Sequence, residues 1–236
     1  MAKFIPLILC LSAMISVNGH VYKGEKIDDN NEVYEEENEA SGDAMAKRAL
    51  RWTVTEEIQH EDMKGPWGVW GPMDFCNDGK FATGFFLRAE KEQGAGDDTG
   101  ANAVCLQCGD KEVCSKEGKW GEWSDEISCP TGSFISGWRQ NVEDKQGRGV
   151  QKDDTALNNV EYRCRDKNTW EGTGNIKTNA KEWGKWSRLV ECSRGQFICG
   201  IKTRVEKPGG DDTALNDIKH NCCKPLLKKE KAKINN

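Results

Sequence analysis

Histidine is nearly missing from this chain. There are three in 236 residues, and one of them, His20, lies in an N-terminal segment that reads as removed on processing. With only His60 and His220 left, imidazole acid–base chemistry has few places to reside. The motifs G-x-S-x-G and H-E-x-x-H, the phosphate loop and the glycine-rich dinucleotide fingerprint are absent as well, which removes the commonest hydrolase, metalloprotease and nucleotide-binding signatures. Only one long apolar run exists, at the N-terminus, so a bundle of membrane-spanning helices is excluded. No surplus of one charge occurs where it would matter. The whole chain carries −5; residues 1–19 contribute +1 through Lys3, and nine acids against four bases in 20–48 contribute −5, leaving −1 on the other 188 residues. A body this close to neutral lacks the strongly basic face that tracking a phosphate backbone requires, so nucleic acid is not an expected partner.

The apolar run extends from Phe4 to Val17 behind Lys3 and ends at Val17-Asn18-Gly19. This is the charge, core and small-residue cleavage site of a secretory signal, with processing expected after Gly19. The acidic stretch that follows is too poor in core-forming residues to fold on its own, and it ends at Lys47-Arg48, a dibasic processing site. The chain therefore divides into a signal peptide (1–19), an acidic propeptide (20–48), a body (49–224) and a lysine-rich tail (225–236). Secretion implies an oxidising, extracellular destination, in which the ten cysteines of the body form disulfides rather than metal thiolates.

The body is repetitive. Trp67-Gly68-Val69-Trp70 returns as Trp120-Gly121-Glu122-Trp123 and as Trp183-Gly184-Lys185-Trp186. Fixed offsets then bring a cysteine (Cys76, Cys129, Cys192), a phenylalanine (Phe81, Phe134, Phe197), a glycine (Gly84, Gly137, Gly200) and a glutamate (Glu90, Glu143, Glu206). After a stretch of variable length come Asp97-Asp98-Thr99, Asp153-Asp154-Thr155 and Asp211-Asp212-Thr213, and eleven residues past each first aspartate a second cysteine, Cys108, Cys164 and Cys222. Constant spacing around one elastic segment describes a rigid unit with one surface loop.

Each unit reads as β. Ile201, Thr203 and Val205 alternate with Lys202, Arg204 and Glu206, and Ile218, His220 and Cys222 alternate with Lys219 and Asn221, with no helical period between them. Three sheets, each too small to bury its own face, can close around a common core with threefold symmetry, which is a β-prism. The register pairs Cys76 with Cys108, Cys129 with Cys164 and Cys192 with Cys222. Cys105 is out of phase with Cys108, so it faces the other way and suits Cys114, which leaves Cys199 for Cys223. Cys105-Leu106-Gln107-Cys108 has the spacing of half a zinc site, but no second pair with histidine completes it, so neither metal nor cofactor is expected.

The W-G-x-W, F-x-x-G and G-D-D-T-A-L-N elements in triplicate, ending in Cys222-Cys223-Lys224, resemble the vitelline membrane outer layer protein 1 family over about residues 51–224. The resemblance implies an all-β fold, a disulfide-rich β-prism of three Greek-key antiparallel sheets with pseudo-threefold symmetry. It also implies a secreted component of the egg's outer vitelline layer, associated with glycoproteins and carrying a sugar-binding cavity. The family has been linked to oligosaccharide transfer without a catalytic assignment. This chain departs from the pattern at Gly100-Ala101, which replace Ala-Leu, and in its acidic prosegment and basic tail. A secreted precursor with an acidic, dibasic-ended prosegment is also similar to some venom components.

Paired carboxylates perform glycoside chemistry, yet the Asp97, Asp153 and Asp211 pairs occur three times. Capping tight turns through nearby backbone N–H groups accounts for them, with Asn102, Asn158 and Asn216 tying the following bend. The six motif tryptophans are expected in core and sheet-face packing, which leaves Trp52, Trp138 and Trp170, together with the aspartates, as the candidate ligand surface. No catalytic residue is assigned, and His220, at an inward strand position, is expected to be packed core. Three readings stay open: a structural or glycan-associating matrix protein whose partners are glycoproteins or oligosaccharides, a glycan-processing enzyme, and a secreted effector.

Overall fold

Alternation builds the long strands as the sequence implies. Ile201, Thr203 and Val205 are buried in one, with Lys202 and Arg204 partly exposed between them; Ile218, His220 and Cys222 are buried in the next, with Lys219 partly exposed. The computed structural model describes residues 52–61, 64–65, 67–90, 100–143, 157–207 and 213–225, all within the unit Lys47–Asn236. Gly19, Lys47, Arg48, the aspartates Asp97, Asp153 and Asp211, and residues 226–236 of the tail lie outside the described residues.

Fifteen strands form among the described residues. β1 (Trp52–Gln59) precedes the repeats. The first repeat holds β2 (Val69–Trp70), β3 (Asp74–Phe75), β4 (Gly84–Ala89), β5 (Ala101–Cys108) and β6 (Lys111–Cys114). The second holds β7 (Glu122–Trp123), β8 (Ile127–Ser128), β9 (Ser133–Val142), β10 (Leu157–Asp166) and β11 (Gly172–Lys177). The third holds β12 (Lys185–Trp186), β13 (Val190–Glu191), β14 (Phe197–Val205) and β15 (Leu215–Pro225). Among the described residues each repeat is thus two short strands, two long ones and an edge strand, except that the third shows no edge strand of its own.

Sheets and repeats do not coincide. β4, β5 and β6 form a meander, and β7 of the second repeat returns beside β4, with β8 also on β4. The second sheet has the order β11-β10-β9-β12, closed by the third repeat, with β13 on β9. The third has the order β1-β15-β14-β2, closed by the first repeat, with β3 on β14. Three consecutive antiparallel strands with a fourth beside the first is a Greek key, and β1 fills the edge position that the third repeat lacks. The result is an all-β prism of three antiparallel Greek-key sheets in which every sheet borrows its rim from the next repeat.

The disulfides follow the same exchange. All five expected pairs are present: Cys76–Cys108, Cys105–Cys114, Cys129–Cys164, Cys192–Cys222 and Cys199–Cys223. The amide of Cys76 donates to the Cys199 carbonyl of the third sheet while Cys108 ends β5 of the first. Cys129 likewise bonds to Thr83 beside the first sheet, and Cys192 to Ser136 of the second. Each within-repeat bridge is therefore a staple between two sheets, and the three together run around the ring. The other two bridges sit within hairpins, Cys105 lying opposite Cys114 across β5 and β6.

Equivalent residues meet at the centre. Phe81, Phe134 and Phe197 form a triangle with ring centroids 5.2 to 5.5 Å apart. Below it pack Phe85, Trp138 and Ile201, one from each sheet, with Leu106, Tyr162 and His220, all fully buried. No helix among the described residues is long and apolar enough to cross a membrane.

Candidate glycan-facing surface

Four of the six motif tryptophans depart from the expectation of core and sheet-face packing. Trp67, Trp120 and Trp183 are 43%, 42% and 39% exposed, and Trp123 is 40% exposed. The reason is geometric. β2, β7 and β12 are two-residue strands at a sheet rim, and Trp67, Trp120 and Trp183 precede them, outside the sheet, where their rings stay open to solvent.

Two devices hold these rings in place. Gly68 and Gly121 adopt φ of 88° and 81°, and a Cβ on either would lie 2.4 Å from the backbone of Val205 or Ala89, the end of a long strand in the preceding repeat around the ring. Only glycine allows that approach. The second device is a buried asparagine. Asn102 Oδ1 accepts the Trp120 amide at 3.0 Å, and Asn216 Oδ1 accepts the Trp67 amide at 3.2 Å. The asparagines thus tie the next repeat's tryptophan rather than only their own bend; Asn216 Nδ2 also donates to Thr213 Oγ1 and the Ala214 carbonyl, securing the turn before it. Thr213, the last residue of its Asp-Asp-Thr triplet, donates from both N and Oγ1 to Glu206, so the repeated glutamate closes the elastic loop.

Cations surround the rings. Lys119 lies over Trp120 at 4.7 Å and Lys181 over Trp183 at 5.2 Å. Trp186 has Arg139 at 4.9 Å and donates from Nε1 to Glu182, which Lys177 also meets at 2.6 Å, holding the Glu182 carboxyl below its usual range. Trp70 has three, Lys219, Arg204 and Lys202, between 5.3 and 5.9 Å from its centroid.

Of the three tryptophans outside the motif, Trp138 and Trp52 are buried, a correction to their reading as ligand surface, and Trp170 is half-buried. Trp138 is fully buried because β9 is a central strand and the residue occupies an inward position; it stacks edge-on with His220 and His60. Trp52 is 8% exposed, donates from Nε1 to the Asn77 carbonyl, and packs beside Phe75. Trp170, with φ 66° in the turn before β11, leans on Phe197 at 5.1 Å. Trp52 and Trp170 cap the phenylalanine triangle.

The interior polar groups are sealed. His220 is fully buried, with Nδ1 at 3.1 Å from the Gly200 carbonyl and Nε2 at 3.1 Å from Tyr162 Oη. The carbonyl can only accept, so the proton sits on Nδ1 and the tyrosine hydroxyl donates to Nε2. Burial drives the imidazole down to about 3 and pushes the tyrosine up, keeping both neutral. His220 is packed core, as its strand position implied. Asp217, also buried, accepts from Gln59 at 2.6 Å and the Ile218 amide at 2.9 Å; burial raises it to about 6 despite Arg204 at 3.5 Å. Cys105, Cys114 and Glu117 bring potential ligand atoms within 4.8 Å of one another, but both sulfurs are spent in a disulfide.

A three-sheet β-prism with anchored tryptophans at its rims is the class of protein that this geometry defines. Residues 56–225 match the family model "Vitelline membrane outer layer protein I (VOMI)", and the chain belongs to that family. It is 41% identical over 169 residues to the vitelline membrane outer layer protein 1 homolog of Mus musculus, covering 67% of this chain and 79% of that one. It is 39% identical over 170 residues to the homolog of Homo sapiens, covering 68% and 79%. Among solved structures it is similar to a prostate-specific WGA16 glycoprotein lectin (TM-score 0.46, 13% identity, 72% of this chain and 100% of that one). It is also similar to artocarpin, a lectin with mannose specificity (TM-score 0.43, 10% identity, 72% and 99%). Likenesses this distant bear on neither mechanism nor ligand.

Proposed function

We propose that the protein is a secreted, non-enzymatic structural component of an extracellular coat or secretion that associates with glycans through its motif tryptophans. The observation that carries this reading is the set of exposed Trp67, Trp120 and Trp183 rings, two of them with their backbone amides locked to buried asparagines. An aromatic plane fixed before binding loses little entropy on stacking against a sugar ring. A non-enzymatic role is supported by the burial of His220 and Tyr162 in the core, away from any substrate. Five disulfides and the N-terminal signal support secretion. The mature chain would then begin at Ala49 after removal of the signal at Gly19 and the propeptide at Lys47-Arg48; N-terminal sequencing of native material starting instead at His20 would show that the acidic segment is kept.

The test is glycan-array binding by the mature protein and by a variant carrying Trp67→Ala, Trp120→Ala and Trp183→Ala. The variant should keep its melting temperature within a few degrees and lose at least tenfold in glycan affinity. Unchanged binding would remove the tryptophans from the reading.

A further inference from the structure

We propose that the outer face of the third sheet is an acidic-saccharide site, built from Trp70, Lys202 and Lys219. This rests on the glycan-associating reading above and names the ligand class for one of its surfaces.

The internal repeats supply the control. One cross-strand pair recurs at the same register in all three sheets: Phe86 opposite Cys105, Arg139 opposite Glu161, and Lys202 opposite Lys219. In the first sheet the pair is uncharged. In the second it is a two-pronged ion pair, with Arg139 Nε and Nη2 each 3.0 Å from a Glu161 oxygen. In the third, two lysines occupy directly opposed positions, an arrangement of like charges that costs stability unless anions offset it.

The neighbouring carboxylates neutralise only one of the two lysines. Glu57 on β1 takes Lys219 at 2.6 Å, and Asp217 takes Arg204 at 3.5 Å. Lys64 adds a further positive field near Asp217. Lys202 meets no carboxylate among the described residues and lies over the Trp70 ring at 5.9 Å. Lys219 lies 5.3 Å from the same ring, and its side chain keeps 25% exposure. A half-exposed indole with two lysines leaning over it, one of them uncompensated, fits a sugar whose ring stacks on the indole and whose carboxylate or sulfate draws both ammonium groups off it. A neutral sugar would use the indole and leave the lysine pair opposed.

The experiment measures the affinity of the mature protein at low salt for three probes: a heparin-derived hexasaccharide, a hyaluronan hexasaccharide bearing carboxylates only, and neutral chitohexaose. At least one acidic probe should bind tenfold or more tighter than chitohexaose, and its identity tells sulfate from carboxylate recognition. Lys202→Glu recreates the complementary pairing found in the second sheet, so its melting temperature should hold or rise while acidic-probe affinity falls at least tenfold. Trp70→Ala should weaken the same probe. Lys80→Glu, an identical charge change at an exposed turn elsewhere, should alter affinity less than twofold. Equal losses in Lys202→Glu and Lys80→Glu, or no loss in either, would overturn the site. Tight chitohexaose binding without acidic preference would also overturn it while leaving the glycan-associating reading standing. Failure to bind any of the three probes would overturn both.

Discussion

At the scale of single residues, two buried titratable groups, His220 and Asp217, make stability depend on pH in a way that can be dissected. Native His220 takes up a proton only near pH 3, whereas the unfolded chain does so near 6.5, so its contribution is lost as pH falls below about 6.5. Asp217 runs the other way. Raised to about 6, it holds a proton that the unfolded chain releases near 3.8, so its contribution is present at low pH and lost as pH rises through 6. Between pH 4 and 6 the two slopes oppose each other. Replacing His220→Gln removes only one of them, so the stability advantage of the wild type over the variant should grow by up to about 1.4 kcal/mol per pH unit across that window. Urea unfolding at a series of pH values reads it, and a pH-independent difference would contradict the sealed, neutral imidazole. The inward position of His220 was legible from alternation with Lys219. The exposure of Trp67, Trp120 and Trp183 is not legible from hydrophobic character, because it depends on which rings sit at a rim and which, like Trp138, on a central strand such as β9.

At the scale of elements, the disulfides divide by what they join. Cys129–Cys164 closes 35 residues and links two sheets, whereas Cys105–Cys114 closes 9 within one hairpin. Chain entropy alone gives about 3.8 kcal/mol for the first and about 2.5 kcal/mol for the second. Replacing Cys129 and Cys164 by alanine should therefore cost about 1 kcal/mol more than replacing Cys105 and Cys114, measured by denaturant unfolding. An equal or reversed order would mean that the inter-sheet staples do not restrain the ring. All five pairs could be read from the sequence, since fixed offsets and strand phase leave few partners. The exchange of rim strands could not. Repeat spacing is identical whether β7 returns to β4 or stays with its own repeat, and the choice is made by contacts such as Gly121 against Ala89 and Asn102 on Trp120, which no periodicity encodes.

At the scale of the whole body, cyclic exchange makes each repeat dependent on the next. β2 and β3 close the ring on β14, and β1 pairs with β15 from Trp52↔Pro225 to Gln59↔Lys219, so both ends of the body are held in one sheet. Under the proposed reading such a shell supports surface tryptophans, whereas catalysis would need one differentiated cleft. The Asp-Asp-Thr triplets test that distinction, because paired carboxylates are what glycan transfer or hydrolysis would require. The decisive measurement is mass spectrometry of chito-oligosaccharides incubated with the purified mature protein, alongside Asp97→Ala, Asp153→Ala and Asp211→Ala. No change in oligosaccharide length is expected from the wild type, and each substitution should lower the melting temperature by a similar amount, equivalent to roughly 1–3 kcal/mol. Oligosaccharides of new length, lost in one of the three variants whose melting temperature is unchanged, would make the protein an enzyme.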